Sequence, residues 1–147
     1  MTKRARSAAR TIYLLKAAEV AVRVAADPLL RDFDLTMAQY TALSLIGSRD
    51  DLSSADLARR LSVTPQSINE LIIRLEQVGL VRRVEDPGNR RILRLSVTDI
   101  GRDMLHRCDA VIDTLEQRLL TGFTPSEVER FRQMLDAIAT AGREAPV

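Results

Sequence analysis

Apolar residues recur at helical spacing along most of the chain, and polar, proline or glycine residues separate the segments. This pattern predicts helices over residues 7–26, 37–46, 55–61, 65–78, 100–120 and 126–140. Two shorter segments, 81–85 and 92–97, are typical of strands, and the Asp-Pro-Gly-Asn sequence between them is typical of a turn. The pattern therefore predicts a mainly α fold with one small β-hairpin.

Residues 52–97 hold the most regular local signals. Ser53 and Ser54 precede the third helix, where a hydroxyl can accept from a free backbone amide. Thr64 and Pro65 are a favourable N-cap and first helical residue for the fourth helix, and Gly79 is suited to a left-handed end. Two short helices followed by a hairpin predict a helix-turn-helix with a β-wing.

The flanking helices also carry start and stop signals. Asp27 and Pro28 are expected to end the first helix, and Gly47 is expected to close the second. Glu127 lies at the position that completes a capping box for the last helix. The predicted N-caps of the flanking helices are Thr36, Thr98 and Thr124.

Composition fits a single globular domain, because 46% of the 147 residues are hydrophobic and 29% are charged. The net charge is only +2, but residues 53–97 hold eight arginines against five acidic residues, a local excess of +3. A locally basic face suits a polyanion such as DNA, although most such segments are simply solvated surface. No apolar segment approaches the length of a membrane span or a leader h-region, so we expect a cytoplasmic protein without a membrane partner.

Taken together, LSSADLARRLSVTPQSINELIIRLEQVGLVRR, a PGNRR turn and LSVTDIG resemble the MarR family of winged-helix transcription regulators. The resemblance covers nearly the whole chain. It implies one domain over residues 1–147, with a winged helix-turn-helix lobe at 36–99 and dimerisation helices at 6–27 and 100–141. It also implies a homodimer that binds a palindromic operator in double-stranded DNA. Most members are repressors released by small aromatic or anionic effectors or by thiol oxidation.

The fourth helix is then expected to enter the major groove with its first residues toward the bases. Gln66, Ser67 and Asn69 are the candidates for base contact, since Asn and Gln can pair with adenine through two hydrogen bonds. Ser53 and Thr64 are candidates for phosphate contact, or serve as helix caps alone. The full set of candidate DNA-binding residues is Ser53, Ser54, Thr64, Pro65, Gln66, Ser67, Asn69, Glu70, Arg74, Asn89, Arg90 and Arg91.

Two candidates depart from the family pattern. Glu70 lies where relatives often carry Arg, and it is expected to pair with Arg74 one turn later or to accept from a cytosine amino group. Asn89 replaces the Asp that orients the wing arginine, and an amide can only hydrogen-bond a guanidinium. The resemblance assigns Arg91 to the minor groove and Arg90 to phosphate. The alternative is a hairpin with a purely structural role.

Regulation has weaker signals in the sequence. By resemblance, an effector would bind between the long helices and the DNA-binding lobe, where Tyr13, Met37, Tyr40 and His106 are candidates. Each of them is otherwise a core or interface residue. Cys108 is the single cysteine, which excludes an intrachain disulfide; it is a redox switch or, as its place on a helix favours, a buried inert thiol.

Other functional classes have little support. His106 and Cys108 are two residues apart on one helix and would point to different faces, so no catalytic pair is expected. The sequence lacks a glycine-rich phosphate loop and a metal-spaced Cys/His cluster, so no enzyme activity, metal or cofactor is predicted. A winged helix that binds protein instead of DNA remains the other alternative.

Overall fold

The structure is a computed structural model and describes residues 9–145. Within them lie six helices and a two-stranded antiparallel sheet, which confirms the predicted fold class. The elements are α1 Thr11–Arg31, α2 Met37–Gly47, α3 Ser54–Leu61, α4 Pro65–Gln77, β1 Val81–Glu85, β2 Leu93–Val97, α5 Asp99–Leu119 and α6 Pro125–Glu144. The helix start predicted at Ser7 lies outside the described residues. None of the helices in this range has the length and apolar content needed to span a bilayer.

The predicted N-caps begin their helices as expected. In each case the side-chain oxygen accepts from the backbone amide three residues later, which satisfies a donor that the helix itself leaves free. At α2, α3 and α6 the residue at that third position also accepts from the backbone of the cap and completes a capping box. The five caps are Thr36, Ser53, Thr64, Thr98 and Thr124.

The predicted end of α1 was wrong, whereas that of α2 was right in position but not in its expected left-handed geometry. α1 does not stop at Asp27 but continues through Pro28 to Arg31, because this extra turn buries Leu30 completely in the core. That burial offsets the hydrogen bond that a proline inside a helix removes. Gly47 is the last residue of α2 and not a left-handed cap; a Cβ there would approach Leu105 Cδ1 of α5 to 2.8 Å.

The lobe made by α2, α3, α4 and the hairpin has a continuous aliphatic core, to which α5 adds Cys108. The hairpin runs in register from Val81 opposite Val97 to Glu85 opposite Leu93. Its second strand is joined to the segment before α3, since the Leu95 amide donates to the Leu52 carbonyl at 2.8 Å. The largest fully buried side chains of the lobe are Leu43, Ile46, Leu57, Ile68, Ile72, Leu75 and Leu95.

The terminal helices are packed less completely. No side chain described in α6 is buried, and this helix exposes a row of apolar residues at helical spacing. An apolar groove of about 700 Å³ runs between α1 and α6. The exposed apolar residues of the two helices include Ile12, Leu14, Val22, Phe131, Met134, Leu135 and Ile138.

The start of α5 is pressed against the end of the lobe. Thr98 donates its backbone amide to the Leu80 carbonyl at 3.1 Å and its hydroxyl to the Gly79 carbonyl. Gly101 is buried directly above: a Cβ at this position would lie 2.1 Å from the Leu80 carbonyl oxygen. Only glycine permits this approach, because the atom it would meet belongs to the backbone.

We therefore expect Gly101→Ala to lower the free energy of unfolding by about 3 kcal/mol, as overpacking against an immobile backbone does. Gly142→Ala on α6 is the matched control, since a Cβ there has nothing within 4 Å. Alanine favours a helix, so this control should be neutral or slightly stabilising. Urea unfolding at a fixed protein concentration measures both variants. Equal stability of Gly101→Ala and the wild type would contradict the close contact.

Candidate nucleic-acid interface

The first two turns of α4 present a polar surface on a rigid support. Ile68, Ile72 and Leu75 are almost fully buried and hold one face of the helix in the lobe core. The opposite face is exposed. The exposed polar and cap residues here are Thr64, Pro65, Gln66, Ser67, Asn69, Glu70 and Arg74.

Thr64 caps α4 and orients its neighbour. The Ser67 backbone amide donates to Thr64 Oγ1 at 3.1 Å, and the Thr64 hydroxyl donates to Ser67 Oγ at 2.9 Å. The capping role is thus present in the structure, and both hydroxyls remain at the exposed start of the helix. A phosphate contact by either residue stays a prediction.

Ser53 has a similar capping role but is less accessible. Its hydroxyl donates to Asp56 Oδ2 at 2.8 Å, and both Ser53 and Ser54 are half-buried. Hydrogen bonds from the Ser53 amide and hydroxyl lower the pKa of the Asp56 carboxyl. The Ser53 hydroxyl is therefore engaged within its own capping box.

The predicted pairing of Glu70 with Arg74 was wrong. The Glu70 carboxylate instead accepts from Gln66 Nε2 at 3.4 Å, and within residues 9–145 it forms no ion pair with Arg74. The Glu70 side chain is thus directed toward Gln66, one turn earlier. Arg74 is left exposed.

Arg83 on β1 is a site residue that the sequence analysis missed. Its Nη2 donates to Asn69 Oδ1 at 3.0 Å, and its Nε lies 3.3 Å from Glu76 Oε1. Strand alternation places Arg83 on the same face as buried Val81, toward α4, which is the signal that could have identified it. Ile73 lies between Asn69 and Glu76 on the same helical stripe and is 39% exposed.

The wing loop is organised by Asp86. The residue is only 7% exposed, and its carboxylate accepts from the backbone amides of Gly88 and Asn89 at 2.7 and 3.0 Å. It also contacts Arg94 Nε, while Arg94 Nη1 donates to the Asp51 carbonyl. The Arg94 hydrogen bond, followed by that from the Gly88 amide, lowers the pKa of Asp86. Asp86 thus joins the turn to β2 and to the segment before α3.

Asn89 shapes the turn. It does not hydrogen-bond the Arg91 guanidinium, although its side chain was expected to be able to. Its Oδ1 accepts from the Arg91 backbone amide at 3.1 Å, the bond to the residue two positions later that Asn commonly forms in turns. Arg90 Nε lies 4.0 Å from Glu85, a loose and fully solvated pair. Both wing-tip arginines are exposed and project from a fixed backbone.

The four effector candidates do not line one shared cavity. Met37 lines the α1–α6 groove, whereas Tyr13 is 64% exposed and His106 is exposed on α5. The Tyr40 hydroxyl donates to Asp109 Oδ1 at 2.7 Å. Burial, together with this hydrogen bond, raises the pKa of Tyr40, so the phenol stays protonated.

Cys108 is fully buried among core residues, as the favoured interpretation predicted. Burial raises the pKa of its thiol, which keeps it in the unreactive protonated form. Among residues 9–145, His, Cys, Asp and Glu form no cluster of three or more that could hold a metal ion.

Comparison with known proteins agrees with this architecture. The family model described as MarR family matches residues 33–92, which cover α2 to the wing. The HTH-type transcriptional repressor Rv2887 of Mycobacterium tuberculosis is 31% identical over 87% of this chain and 92% of its own length. The chain belongs to the MarR family.

Solved MarR-family structures share the fold over most of both chains. The structure of CouR from Rhodococcus jostii RHA1 bound to p-coumaroyl-CoA has a TM-score of 0.80 and 27% identity, covering 86% of this chain and 90% of that one. Rv2887 in complex with salicylic acid has a TM-score of 0.72 and 31% identity, covering 90% and 98%. The predicted family is therefore confirmed, and this MarR-family chain is a DNA-binding transcription regulator.

The contacts of Asp86 lead to a test of the wing of this MarR-family protein. We expect Asp86→Ala to accelerate amide hydrogen exchange at Gly88 and Asn89, because both amides lose their acceptor. The neighbouring Glu85→Ala removes a solvated carboxylate and should leave these two amides unchanged. The pKa of Asp86 is lower in the folded protein than its ordinary value of 3.8. Asp86 therefore stabilises the folded state above pH 3.8, and this stabilisation is lost as the pH falls through the folded pKa. Unaltered exchange in Asp86→Ala would rule out this role.

Proposed function

We propose that this protein is a homodimeric, effector-responsive repressor that recognises an imperfect palindrome through α4 and the wing. The observation that carries the proposal is the arrangement of the exposed polar start of α4 beside a hairpin whose tip holds Arg90 and Arg91. The hydrogen bond between Arg83 and Asn69 connects the two elements. A helix of this kind suits the major groove, and exposed arginines suit an adjacent minor groove.

Within α4, the proposed base contacts are Gln66, Ser67 and Asn69, and the proposed backbone contacts are Thr64 and Arg74. The start of α3, with Ser53 and Ser54, is the second backbone contact. Arg91 is assigned to the minor groove and Arg90 to phosphate. Asn89 serves the interface by fixing the backbone of Arg91. These assignments rest on exposure and side-chain chemistry.

The dimer would be formed by the segments 6–27 and 100–141, of which residues 6–8 lie outside the described part. Exposed apolar side chains at Phe131, Met134 and Ile138 support this role, since single chains seldom leave such a row in water. A two-fold dimer would place two copies of α4 about one helical turn of DNA apart. This is the spacing expected of the operator half-sites.

Binding by the wild type to the region upstream of its own gene tests the proposed function directly. Fluorescence anisotropy across a salt series should show specific binding that weakens as salt is raised. We expect Arg91→Ala to bind more weakly. The slope of log affinity against log salt concentration should fall by roughly two units per dimer, because two fewer positive charges displace counterions from the DNA. Arg118→Ala, an exposed arginine at the end of α5, is the control. An unchanged affinity and slope in Arg91→Ala would reject the wing assignment.

A second prediction concerns the dimer. Phe131→Glu places a charge in the apolar row of α6, and we expect it to yield monomers that lose cooperative binding to the two half-sites. Gln133→Lys, an exposed polar change on the same helix, should leave a dimer. Light scattering coupled to size-exclusion chromatography measures the mass. A dimeric Phe131→Glu variant would place the interface elsewhere.

The effector is proposed to be a small aromatic acid or its thioester, by analogy with the ligands of the two structural relatives. The aromatic ring of such a molecule would bind in the part of the groove at Met37 that Phe131, Met134 and Ile138 do not close in the dimer, with its polar end outside the apolar walls. Salicylate and p-coumaroyl-CoA, added to the DNA complex at fixed ionic strength, should release the protein from DNA. Sodium acetate at equal concentration is the control for added anion. Retention on DNA with both compounds would exclude this effector class.

The alternatives have less support. A redox switch at Cys108 conflicts with the burial of its thiol, and the structure offers no second cysteine. A protein-binding winged helix is less favoured, because the two exposed arginines at the wing tip suit the charge of DNA. The family consists of transcription regulators, and we propose that the chain has no enzyme activity of its own and acts in the cytoplasm, where it can reach the chromosome.

A further inference from the structure

The amide of Asn69 is held in one of its two orientations. Its Oδ1 accepts from Arg83 Nη2 at 3.0 Å. An arginine has only donors and cannot accept a hydrogen bond, so a flip that turned Nδ2 toward Arg83 would place donor against donor. Oδ1 therefore faces the wing, and the two N–H groups of Nδ2 face the exposed side of α4.

Arg83 is well placed to impose this orientation. Its side chain is 29% exposed and its Nε is shielded from water, 3.3 Å from Glu76 Oε1 but outside hydrogen-bond geometry among the described residues. The guanidinium is thus held between Glu76 and Asn69, seven residues apart on the same face of α4. The carboxylate of Glu76 balances the charge of the Arg83 guanidinium, so we expect Arg83 to attract a phosphate only weakly.

The orientation of Asn69 determines which base it can recognise. Asparagine pairs with adenine by donating to N7 and accepting from the N6 amino group, so Nδ2 and Oδ1 must both face the base. Guanine presents two acceptors, N7 and O6, on the same edge, whereas cytosine presents only a donor. A side chain that offers N–H groups alone matches guanine.

We infer that Arg83 is a specificity-determining positioning residue, which turns Asn69 into a donor-only contact selective for guanine in each half-site. This inference rests on the proposed function, since it requires α4 to lie in the major groove. It differs from the expectation that Asn69 pairs with adenine, which stays a prediction. No change in the number of phosphate contacts is involved.

Selection of the full-length protein on a randomised duplex library tests the inference, because the operator need not be known. The half-site position contacted by Asn69 is the one whose base preference disappears in Asn69→Ala. At that position the wild type should select guanine, and Arg83→Met should reduce the preference for guanine over adenine by roughly tenfold, the value of one two-bonded base contact. The salt slope of Arg83→Met should equal that of the wild type.

Arg82→Met is the matched control. It removes the same charge from the neighbouring, exposed position of β1, which faces away from Asn69. The preference at the Asn69 position should stay unchanged in this variant. A merely structural role of Arg83 would instead weaken binding to all sequences equally and lower the unfolding temperature without altering the selected base.

Asn69→Asp keeps the test valid if Arg83→Met does not fold. The carboxylate still accepts from Arg83, so the helix–wing contact is retained, but the base now meets acceptors only. The selected base should change from guanine to cytosine, whose amino group donates. Continued selection of guanine by Asn69→Asp would overturn the inference.

The outcomes separate this inference from the proposed function. A wild type that selects no sequence overturns both. A wild type that selects a half-site with adenine at the Asn69 position overturns the inference alone, as does an unchanged guanine preference in a folded Arg83→Met variant.

Discussion

The packing of the inner face of α4 is the constraint on which the rest of the structure depends. Ile68, Ile72 and Leu75 are at most 1% exposed. The helix can therefore neither rotate nor slide without opening the core. This fixes which residues of α4 are outward. It also fixes the position of β1, whose Arg83 contacts the exposed side of the same helix. The recognition surface is thus determined from inside the lobe.

Local signals predicted the elements well, because they depend on chemistry within a few residues. Thr64 with Pro65 begins α4, and Thr124 with Glu127 begins α6, as the capping patterns indicate. Positive φ at Gly79 ends the fourth helix as predicted. The end of α1 was mispredicted because Pro28 is a local signal, whereas the burial of Leu30 that overrides it depends on the whole fold.

The side chains of the site were less predictable than the backbone. The pairing of Arg83 with Asn69 joins residues 14 apart and depends on the placement of the hairpin against α4. The partner of Glu70 was mispredicted because spacing allows Gln66 and Arg74 equally, and only the direction of the side chain decides. Charge counting has the same weakness. Arg59, Arg83 and Arg94 lie beside carboxylates, so the number of arginines overstates how many a polyanion would meet unpaired, although the net excess stays the same.

The contact between Gly101 and the Leu80 carbonyl has a mechanical consequence. Because it leaves no room for a Cβ, and because Thr98 bonds to the same turn, the start of α5 and the end of α4 form one stiff joint. α5 has 21 residues and is therefore a lever of roughly 30 Å. If α5 tilts by about 5° about its start, its far end moves by about 3 Å, given its length. A small molecule that binds between the terminal helices and displaces the far end of α5 would thus move α4 without contacting it.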